Sequence, residues 1–240
     1  MTAALAGEPP LLQLEQVSRI YDMGRVQVAA LRDVDLTIRA GELVAIVGPS
    51  GSGKTTLMNV IGCLDRPTSG TYRLGGQDVA ALSGDDLAQV RGRNVGFVFQ
   101  SYDLLPRTSA LENVATPLLY QGVGRRDRRA RAQAELERLG LGDRTDHHPN
   151  ELSGGQQQRV GIARALVTDP PIILADEPTG NLDSQTSAHI VDLLDGLAHQ
   201  RGRAVLIVTH DPQLAHRADR VLRLDDGRLA ELDTDLSPAP

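Results

Sequence analysis

Residues 42–64, ELVAIVGPSGSGKTTLMNVIGCL, join a short apolar run, a glycine-rich loop and a run with helical spacing. The apolar run at 42–48 predicts a buried parallel strand, and residues 55–64 predict a helix directly after the loop. This is the setting in which the pattern G-x-x-x-x-G-K-[ST] binds phosphate, through backbone N–H groups and a helix N-terminus. The predicted phosphate-binding residues are Gly48, Pro49, Ser50, Gly51, Ser52, Gly53, Lys54, Thr55 and Thr56.

Lys54 is the only lysine among the 25 basic residues of the chain. A compact ammonium on a thin stem can enter a curled loop and reach the β- and γ-phosphates as a point charge. A planar guanidinium is broader and favours an open bidentate partner. Thr55 follows directly, and its hydroxyl is placed to bind Mg²⁺.

Apolar periodicity predicts an α/β fold. Residues 11–21 and 31–40 alternate as strands, and SGTYRLGGQDV predicts a hairpin with a Gly-Gly turn. The apolar runs 171–177 and 204–210 flank a helical run, which favours a parallel sheet. The middle of the chain has helical spacing and predicts an inserted lobe. The expected division is a domain over 11–230, with a core at 11–100 and 169–230, a helical sub-domain at 101–168, and flexible tails at 1–10 and 234–240.

Composition excludes several classes of protein. The net charge of −6 and the pI near 5.5 argue against a nucleic-acid partner, which favours a basic surface. The single cysteine, Cys63, allows no internal disulfide and fits no zinc pattern, so a reducing cytosol is expected. No apolar run approaches the roughly 18 residues of a membrane span, and the N-terminus lacks the features of a signal peptide. We therefore expect any membrane role to depend on a partner.

Two acidic residues directly follow the apolar residues of the segment IILADEP. Because ligands bind at the carboxyl ends of parallel strands, Asp176 and Glu177 are expected beside the phosphates. Asp176 is placed to hold Mg²⁺, and Glu177 is placed to orient or deprotonate an attacking water.

A second helix start lies in ELSGGQQQRVGIARAL, residues 151–166. Ser153 predicts an N-cap, and two glycines in the first turn cost helix stability. Exposed N–H groups at this helix start would suit another phosphate.

With these segments together, the chain resembles the ATP-binding cassette (ABC) family. Six motifs occur in the family's order: GPSGSGKTT as Walker A, VFQ as the Q-loop, LSGGQ as the signature, LADEP as Walker B, GNLD as the D-loop and VTHD as the switch histidine. The resemblance implies a P-loop NTPase (RecA-like) parallel-sheet core, an antiparallel β sub-domain and an inserted α-helical sub-domain. It also implies an ATPase whose cofactors are ATP and Mg²⁺.

Residue roles follow from the resemblance at matching positions. Tyr21 corresponds to an aromatic that stacks on adenine, although a core position is an open alternative. Gln100 corresponds to a residue that senses Mg²⁺ and water, and His210 to one that contacts the γ-phosphate. The implied catalytic residues are Lys54, Gln100, Glu177 and His210, and the implied metal ligands are Thr55, Gln100 and Asp176. The signature residues are Leu152, Ser153, Gly154, Gly155 and Gln156, and the D-loop residues are Asn181, Leu182 and Asp183.

The family implies a head-to-tail dimer in which each ATP lies between Walker A of one copy and the signature of the other. Residues 62–72, 96–118 and 176–186 resemble the MacB/LolD-type branch, which serves lipoprotein release and macrolide export. That branch implies an integral membrane permease as partner and a peripheral location on the cytoplasmic face of the cell membrane. The expected dock is the helical lobe near Tyr102, Leu104 and Leu105, although packing inside the lobe is an open alternative for each of these residues.

Two other readings stay open at this point. A cell-division ATPase with a membrane partner is close to the branch described above. A DNA-repair ATPase of the same family is disfavoured because the segment between Gly53 and Leu152 has no sustained heptads. The transported substrate, its direction and the role of the arginine cluster at 125–131 have no signal in the sequence.

Overall fold

The computed structural model describes residues 9–24 and 26–232. The tails predicted for 1–10 and 234–240 lie outside the described residues, apart from residues 9 and 10. The strands are β1 (Leu12–Asp22), β2 (Gln27–Ile38), β3 (Leu43–Val47), β4 (Ser69–Leu74), β5 (Gln77–Asp78), β6 (Val95–Phe99), β7 (Ile172–Asp176), β8 (Ala204–Val208), β9 (Arg220–Asp225) and β10 (Arg228–Leu232). The α-helices are α1 (Lys54–Ile61), α2 (Gly84–Asn94), α3 (Ala110–Tyr120), α4 (Arg125–Arg138), α5 (Gly154–Leu166), α6 (Ser184–His199) and α7 (Pro212–His216).

The strands form two sheets. The larger has the order β10-β9-β3-β8-β7-β6, and every pair in it is parallel except β9 with β10. The smaller is antiparallel, with the order β2-β1-β4-β5. The parallel core with an antiparallel β sub-domain is the predicted fold class, which is confirmed.

The central strands of the larger sheet, β3, β8 and β7, are buried on both faces. Ile173 and Ala175 of β7 join an apolar cluster with α3, α4, α5 and α6, whereas Ile172 and Leu174 join a second cluster with α1, α2 and the smaller sheet. Successive side chains of a strand point to opposite faces, so β7 supplies both clusters. This explains why the parallel strands are continuous apolar runs in the sequence rather than alternating ones.

The elements expected from periodicity are confirmed at β1, β2, β3, β7 and β8, at the β4–β5 hairpin and in the helices α1, α3, α4 and α6. Strand β6 and the hairpin β9–β10 were not predicted from the sequence. Helix α2 was not predicted either, although Ser83 caps it by accepting a hydrogen bond from the Asp86 N–H. None of the helices in 9–24 and 26–232 is both long and apolar enough to cross a membrane.

Helices α3, α4 and α5 lie in the region predicted as an inserted lobe. Their buried residues belong to the same apolar cluster as Ile173 and Ala175 of the sheet, so the lobe shares a core with the sheet. One close approach is at Gly96 of β6. A Cβ added there would lie 2.4 Å from the carbonyl oxygen of Ala165 in α5 and 2.9 Å from Ile173 Cδ1.

We expect Gly96→Ala to lower the free energy of unfolding by about 1–3 kcal/mol, because α5 must move away from β6 to admit the methyl group. Urea unfolding should show a lower midpoint with an unchanged slope. Gly92→Ala in α2 is the matched control, because a Cβ there meets nothing within 4 Å and alanine favours the helix. Equal midpoints for the two variants would show that α5 does not pack tightly on β6.

Candidate active site

Four parallel strands end at one edge of the larger sheet, and each continues into a segment with a predicted site residue. Strand β3 leads into Gly48, β6 into Gln100, β7 into Glu177 and β8 towards His210. In the sheet, β3 pairs with β8, β8 with β7, and β7 with β6. The parallel register therefore brings together residues that are far apart in the chain.

The phosphate loop curls around its own lysine. Lys54 Nζ donates hydrogen bonds to the carbonyl oxygens of Gly48 and Pro49, both at 2.8 Å. A Cβ at Gly48 would lie 2.1 Å from the Leu224 carbonyl oxygen, and one at Gly53 would lie 2.4 Å from that of Ala30. Both glycines are therefore required by close backbone contacts, and Gly53 also has a left-handed φ of 106°.

A cavity of about 420 Å³ opens beside this loop. Its wall includes Val28 and Arg32 of β2, the turn at Asp226 and residues 51–56. Helix α1 begins at this wall with no side-chain cap and no acidic residue in its first turn. Its first N–H groups have no acceptor within the helix, so they are free to bind an anion.

The buried hydroxyl of Ser52 is a candidate ligand-binding group. The residue is 4% exposed, and its Oγ has no hydrogen-bond partner among the described residues. A buried hydroxyl without a partner is costly, so this atom suits an acceptor that enters from the cavity.

Asp176 and Glu177 lie at the end of β7, close to Lys54. Burial raises the pKa of Asp176, the negative charge of Glu177 raises it further, and Lys54 acts in the opposite direction. The charged form of Asp176 is therefore less stable than that of an aspartate in water. A cation bound nearby would remove that penalty.

Glu177 and His210 form a pair across the ends of β7 and β8. His210 Nδ1 lies 2.8 Å from Glu177 Oε1, and the Glu177 N–H donates to the Val208 carbonyl oxygen at 2.9 Å. The pairing raises the pKa of His210. Glu177 has a left-handed φ of 45°, which costs a non-glycine residue roughly 1–2 kcal/mol and is typical of functional positions.

Gln100 and the D-loop residues contact one another. Asn181 Nδ2 donates to the Gln100 carbonyl oxygen at 3.0 Å, and a Cβ at Gly180 would lie 2.7 Å from Gln100 Nε2. Asp183 caps α6 by accepting from the Thr186 N–H at 2.9 Å, and this bond lowers the pKa of Asp183. The D-loop thus lies between β6 and the start of α6.

The signature segment begins α5 with reciprocal hydrogen bonds. Ser153 Oγ accepts from the Gln156 N–H at 3.3 Å, and Gln156 Oε1 accepts from the Ser153 N–H at 2.9 Å. Ser153 is exposed, whereas Leu152 is only 7% exposed and packs in the core of the lobe. The side chain of Leu152 therefore anchors the segment from inside, while Ser153 lies at its surface.

The two signature glycines are required by close packing against other parts of the same chain, which the sequence did not predict. A Cβ at Gly155 would lie 2.4 Å from Thr186 Cγ2, and one at Gly154 would lie 2.9 Å from Tyr102 Oη. The starts of α5 and α6 therefore approach closely within one chain. Gln158, fully buried, adds a hydrogen bond from Nε2 to the Pro178 carbonyl oxygen at 2.7 Å.

Tyr21 lies directly opposite Val28, a residue of the cavity wall, in the β1–β2 pair, and it has two partners that the sequence did not predict. Its hydroxyl donates to Asp65 Oδ2 at 2.7 Å, and the Arg19 guanidinium lies 4.4 Å from its ring centroid. Tyr21 and Asp65 are 44 residues apart. No local pattern links such positions, because the contact arises from pairing between β1 and the segment after α1.

Comparison with known proteins places this geometry in a family. Residues 31–180 match the family model described as ABC transporter. The chain is 56% identical over 223 residues to the macrolide export ATP-binding/permease protein MacB of Rhodospirillum rubrum, covering 93% of this chain and 34% of that protein. It is 54% identical over 220 residues to the MacB protein of Shigella flexneri, covering 92% and 34%. The chain thus spans about a third of the length of these curated relatives.

Two solved structures are similar over most of the chain. One is a dimeric post-hydrolysis state of the ATP-binding cassette MJ0796 bound to ADP and Pi, with a TM-score of 0.85 and 44% identity over 93% of this chain and 98% of that one. The other is a dimeric structure of MJ0796, described as a bacterial ABC transporter cassette, with 45% identity over the same shares. The predicted resemblance to the ABC family and to the MacB-type branch is confirmed.

The Glu177–His210 pair predicts a pH-dependent signal. We expect His210 to titrate above the usual histidine value of about 6.5 and to return towards it in Glu177→Gln, which removes the carboxylate. Because the pKa of His210 is higher in the folded chain than in the unfolded chain, the pair contributes its full stability at pH values below the unfolded-state pKa. That contribution is lost as the pH rises through the pKa of His210 in the folded chain. NMR titration of the histidine rings would measure both midpoints. His199 pairs with Asp219 and is the internal control, and an unchanged His210 midpoint would contradict the pairing.

Proposed function

Since this chain belongs to the ABC transporter family, as an ATPase domain, we propose that it binds ATP beside the phosphate loop, hydrolyses it and drives a membrane permease. The observation that carries the proposal is the meeting of Lys54, Gln100, Glu177 and His210 at one sheet edge. The similar MJ0796 cassette bound to ADP and Pi supports hydrolysis as the reaction.

The phosphates would occupy the cavity beside residues 51–56. Lys54 Nζ already faces the loop carbonyls and would exchange them for phosphate oxygens. The N–H groups at the start of α1 would bind the same oxygens, with the unpaired Ser52 hydroxyl beside them. Thr56 would bind one step further along the phosphates.

The donor set fits Mg²⁺. Thr55 offers a hydroxyl, Gln100 an amide oxygen and Asp176 a carboxylate, and hard oxygen ligands are those that Mg²⁺ prefers. The raised pKa of Asp176 agrees with this assignment, because a bound cation would favour its charged form. When bound, the ion would neutralise charge on the β- and γ-phosphates.

Glu177 would accept the proton of the attacking water, and His210 would contact the γ-phosphate. In the present structure the two residues bond each other, so the carboxylate oxygen nearest His210 is occupied. The His210 side chain is 78% exposed and can turn away, whereas Glu177 is 17% exposed and is held by its backbone. Release of His210 towards phosphate would therefore free Glu177 as a base.

We also propose a head-to-tail dimer in which the signature residues of one copy cover the ATP of the other. The MJ0796 structures are dimeric, which supports self-association. Ser153 and the D-loop residues Asn181 and Asp183 are exposed, as an interface with a second copy requires. Ser153, Gly154, Gly155 and Gln156 would form the second half of each site.

The permease would dock on the lobe near Tyr102, Leu104 and Leu105. Leu105 is 47% exposed beside the Q-loop, so movement of Gln100 with the γ-phosphate could reach a partner through a short segment. The curated relatives are named ATP-binding/permease proteins, which supports a permease as the driven element. A position on the cytoplasmic face of the membrane follows from that association.

Glu177→Gln tests the reaction. We expect ATP binding close to that of the parent, turnover at least about 100-fold slower because the general base is lost, and a dimer that persists in ATP. Phosphate release and size-exclusion chromatography measure these properties. Lys54→Ala is the control and should bind no ATP and form no ATP-dependent dimer. Turnover of Glu177→Gln at the parent rate would remove Glu177 from the role of base.

Leu105→Asp tests the permease surface. We expect the chain to co-purify with an integral membrane permease from detergent-solubilised membranes, and Leu105→Asp to reduce that recovery several-fold while ATP binding is retained. Leu119→Asp is the matched control, because Leu119 is 53% exposed on the same lobe but lies at the end of α3. Equal recovery of both variants would place the permease elsewhere.

A further inference from the structure

Arg19, Tyr21 and Asp65 form a closed cluster between β1 and the segment that follows α1. Arg19 Nε donates to Asp65 Oδ2 and Arg19 Nη2 lies near Asp65 Oδ1, both at 2.9 Å, so the pair is bidentate. The Tyr21 hydroxyl donates to the same carboxylate at 2.7 Å, and the guanidinium stacks over the ring at 4.4 Å. Every member of the cluster thus contacts both of the others.

The cluster lies beside the predicted ATP cavity. Tyr21 of β1 is the direct antiparallel partner of Val28 of β2. Directly opposed residues share a face of the sheet, with Cβ atoms about 4.5–5.5 Å apart. Val28 lines the cavity together with the phosphate loop, so the ring of Tyr21 stands next to that wall.

Asp65 is connected to the phosphate loop through α1. The Leu64 and Asp65 N–H groups donate to the Asn59 carbonyl oxygen at 2.8 and 3.1 Å. Asn59 lies in the helix that begins at Lys54. The carboxylate that holds Tyr21 is therefore placed by the same helix whose first turn forms the phosphate site.

The cluster is ionic and only partly exposed. The side chains of Arg19 and Asp65 are each 24% exposed. Burial raises the pKa of Asp65, but hydrogen bonds from Tyr21 and the Arg66 N–H, with the charge of Arg19, outweigh it and lower the pKa overall. Asp65 is thus a carboxylate at neutral pH, and its bond to the Tyr21 hydroxyl is charge-assisted.

We propose that Asp65 and Arg19 are positioning residues that hold the Tyr21 ring at a set distance from the phosphate loop for stacking on the base of ATP. The inference rests on the proposed function and on the stacking role that the family resemblance implies for Tyr21. Arg19 occupies one face of the ring, so the base takes the other face. Holding the ring before binding avoids the loss of side-chain freedom that an unheld ring would suffer on binding.

The test separates binding of the base from binding of the phosphates. Calorimetric titration with Mg²⁺ and either ATP or inorganic tripolyphosphate compares a ligand with a base to one without it. We expect Asp65→Ala to weaken ATP binding about 2- to 10-fold and to leave tripolyphosphate binding unchanged. The size of the effect corresponds to the conformational entropy lost when binding immobilises one side chain. Tyr21→Phe keeps the ring and loses only the hydroxyl bond, so a smaller loss in the same direction is expected.

Glu15→Ala is the matched control, because Glu15 lies on β1 with Tyr21 but pairs with Arg73 of β4, so its loss removes an ion pair without touching Tyr21. Its ratio of ATP to tripolyphosphate affinity should equal that of the parent. If Asp65→Ala does not fold, Asp65→Asn and Tyr21→Phe carry the test. An unchanged ratio, or equal weakening of both ligands, would overturn the positioning role. A parent chain that binds neither ligand would overturn the proposed function and this inference with it.

Discussion

The parallel register of β3, β8, β7 and β6 is the constraint on which the candidate site depends. Parallel strands present their carboxyl ends at one edge, so Gly48, His210, Glu177 and Gln100 meet there although the chain separates them widely. Each strand is buried on both faces and is therefore held rigidly by apolar packing. Precise placement of polar groups at the edge follows from apolar packing in the interior.

Electrostatic balance at that edge is incomplete within the chain. Lys54 bonds loop carbonyls, Asp176 has a raised pKa from burial and from Glu177, and the Ser52 hydroxyl has no partner in the described residues. The burial of Asp176 beside Glu177 and the unpaired Ser52 hydroxyl each cost free energy, whereas the lysine is satisfied by carbonyl oxygens that phosphate oxygens could replace. A nucleotide phosphate with a divalent cation has the chemistry to relieve both costs.

Several residues combine a local structural role with a proposed functional one. Ser153 and Gln156 cap α5 reciprocally, and Gly154 and Gly155 allow α5 to approach Tyr102 and Thr186. These contacts lie within one chain, so they shape the signature surface before any second copy arrives. Loss of a signature glycine would therefore disturb the packing of α5 on its own chain as well as an interface.

The sequence by itself determined the phosphate loop, the acidic strand end, the signature and most of the secondary structure. These features are local, because each depends on spacing within about ten residues, as in the strand, loop and helix around Lys54. It did not reveal β6, whose five residues include Gly96, or the hairpin β9–β10. Unlike the continuous apolar runs of β3, β7 and β8, β6 contains a glycine, and β9 and β10 contain charged residues, so their strand conformation depends on hydrogen bonds from neighbouring strands. Tertiary structure alone decided that Asp65 and Arg19 hold Tyr21, that Glu177 bonds His210 and that Gly155 lies against Thr186. Such contacts join distant positions, and side-chain identity at one position carries no record of which distant atom the packed fold will bring beside it.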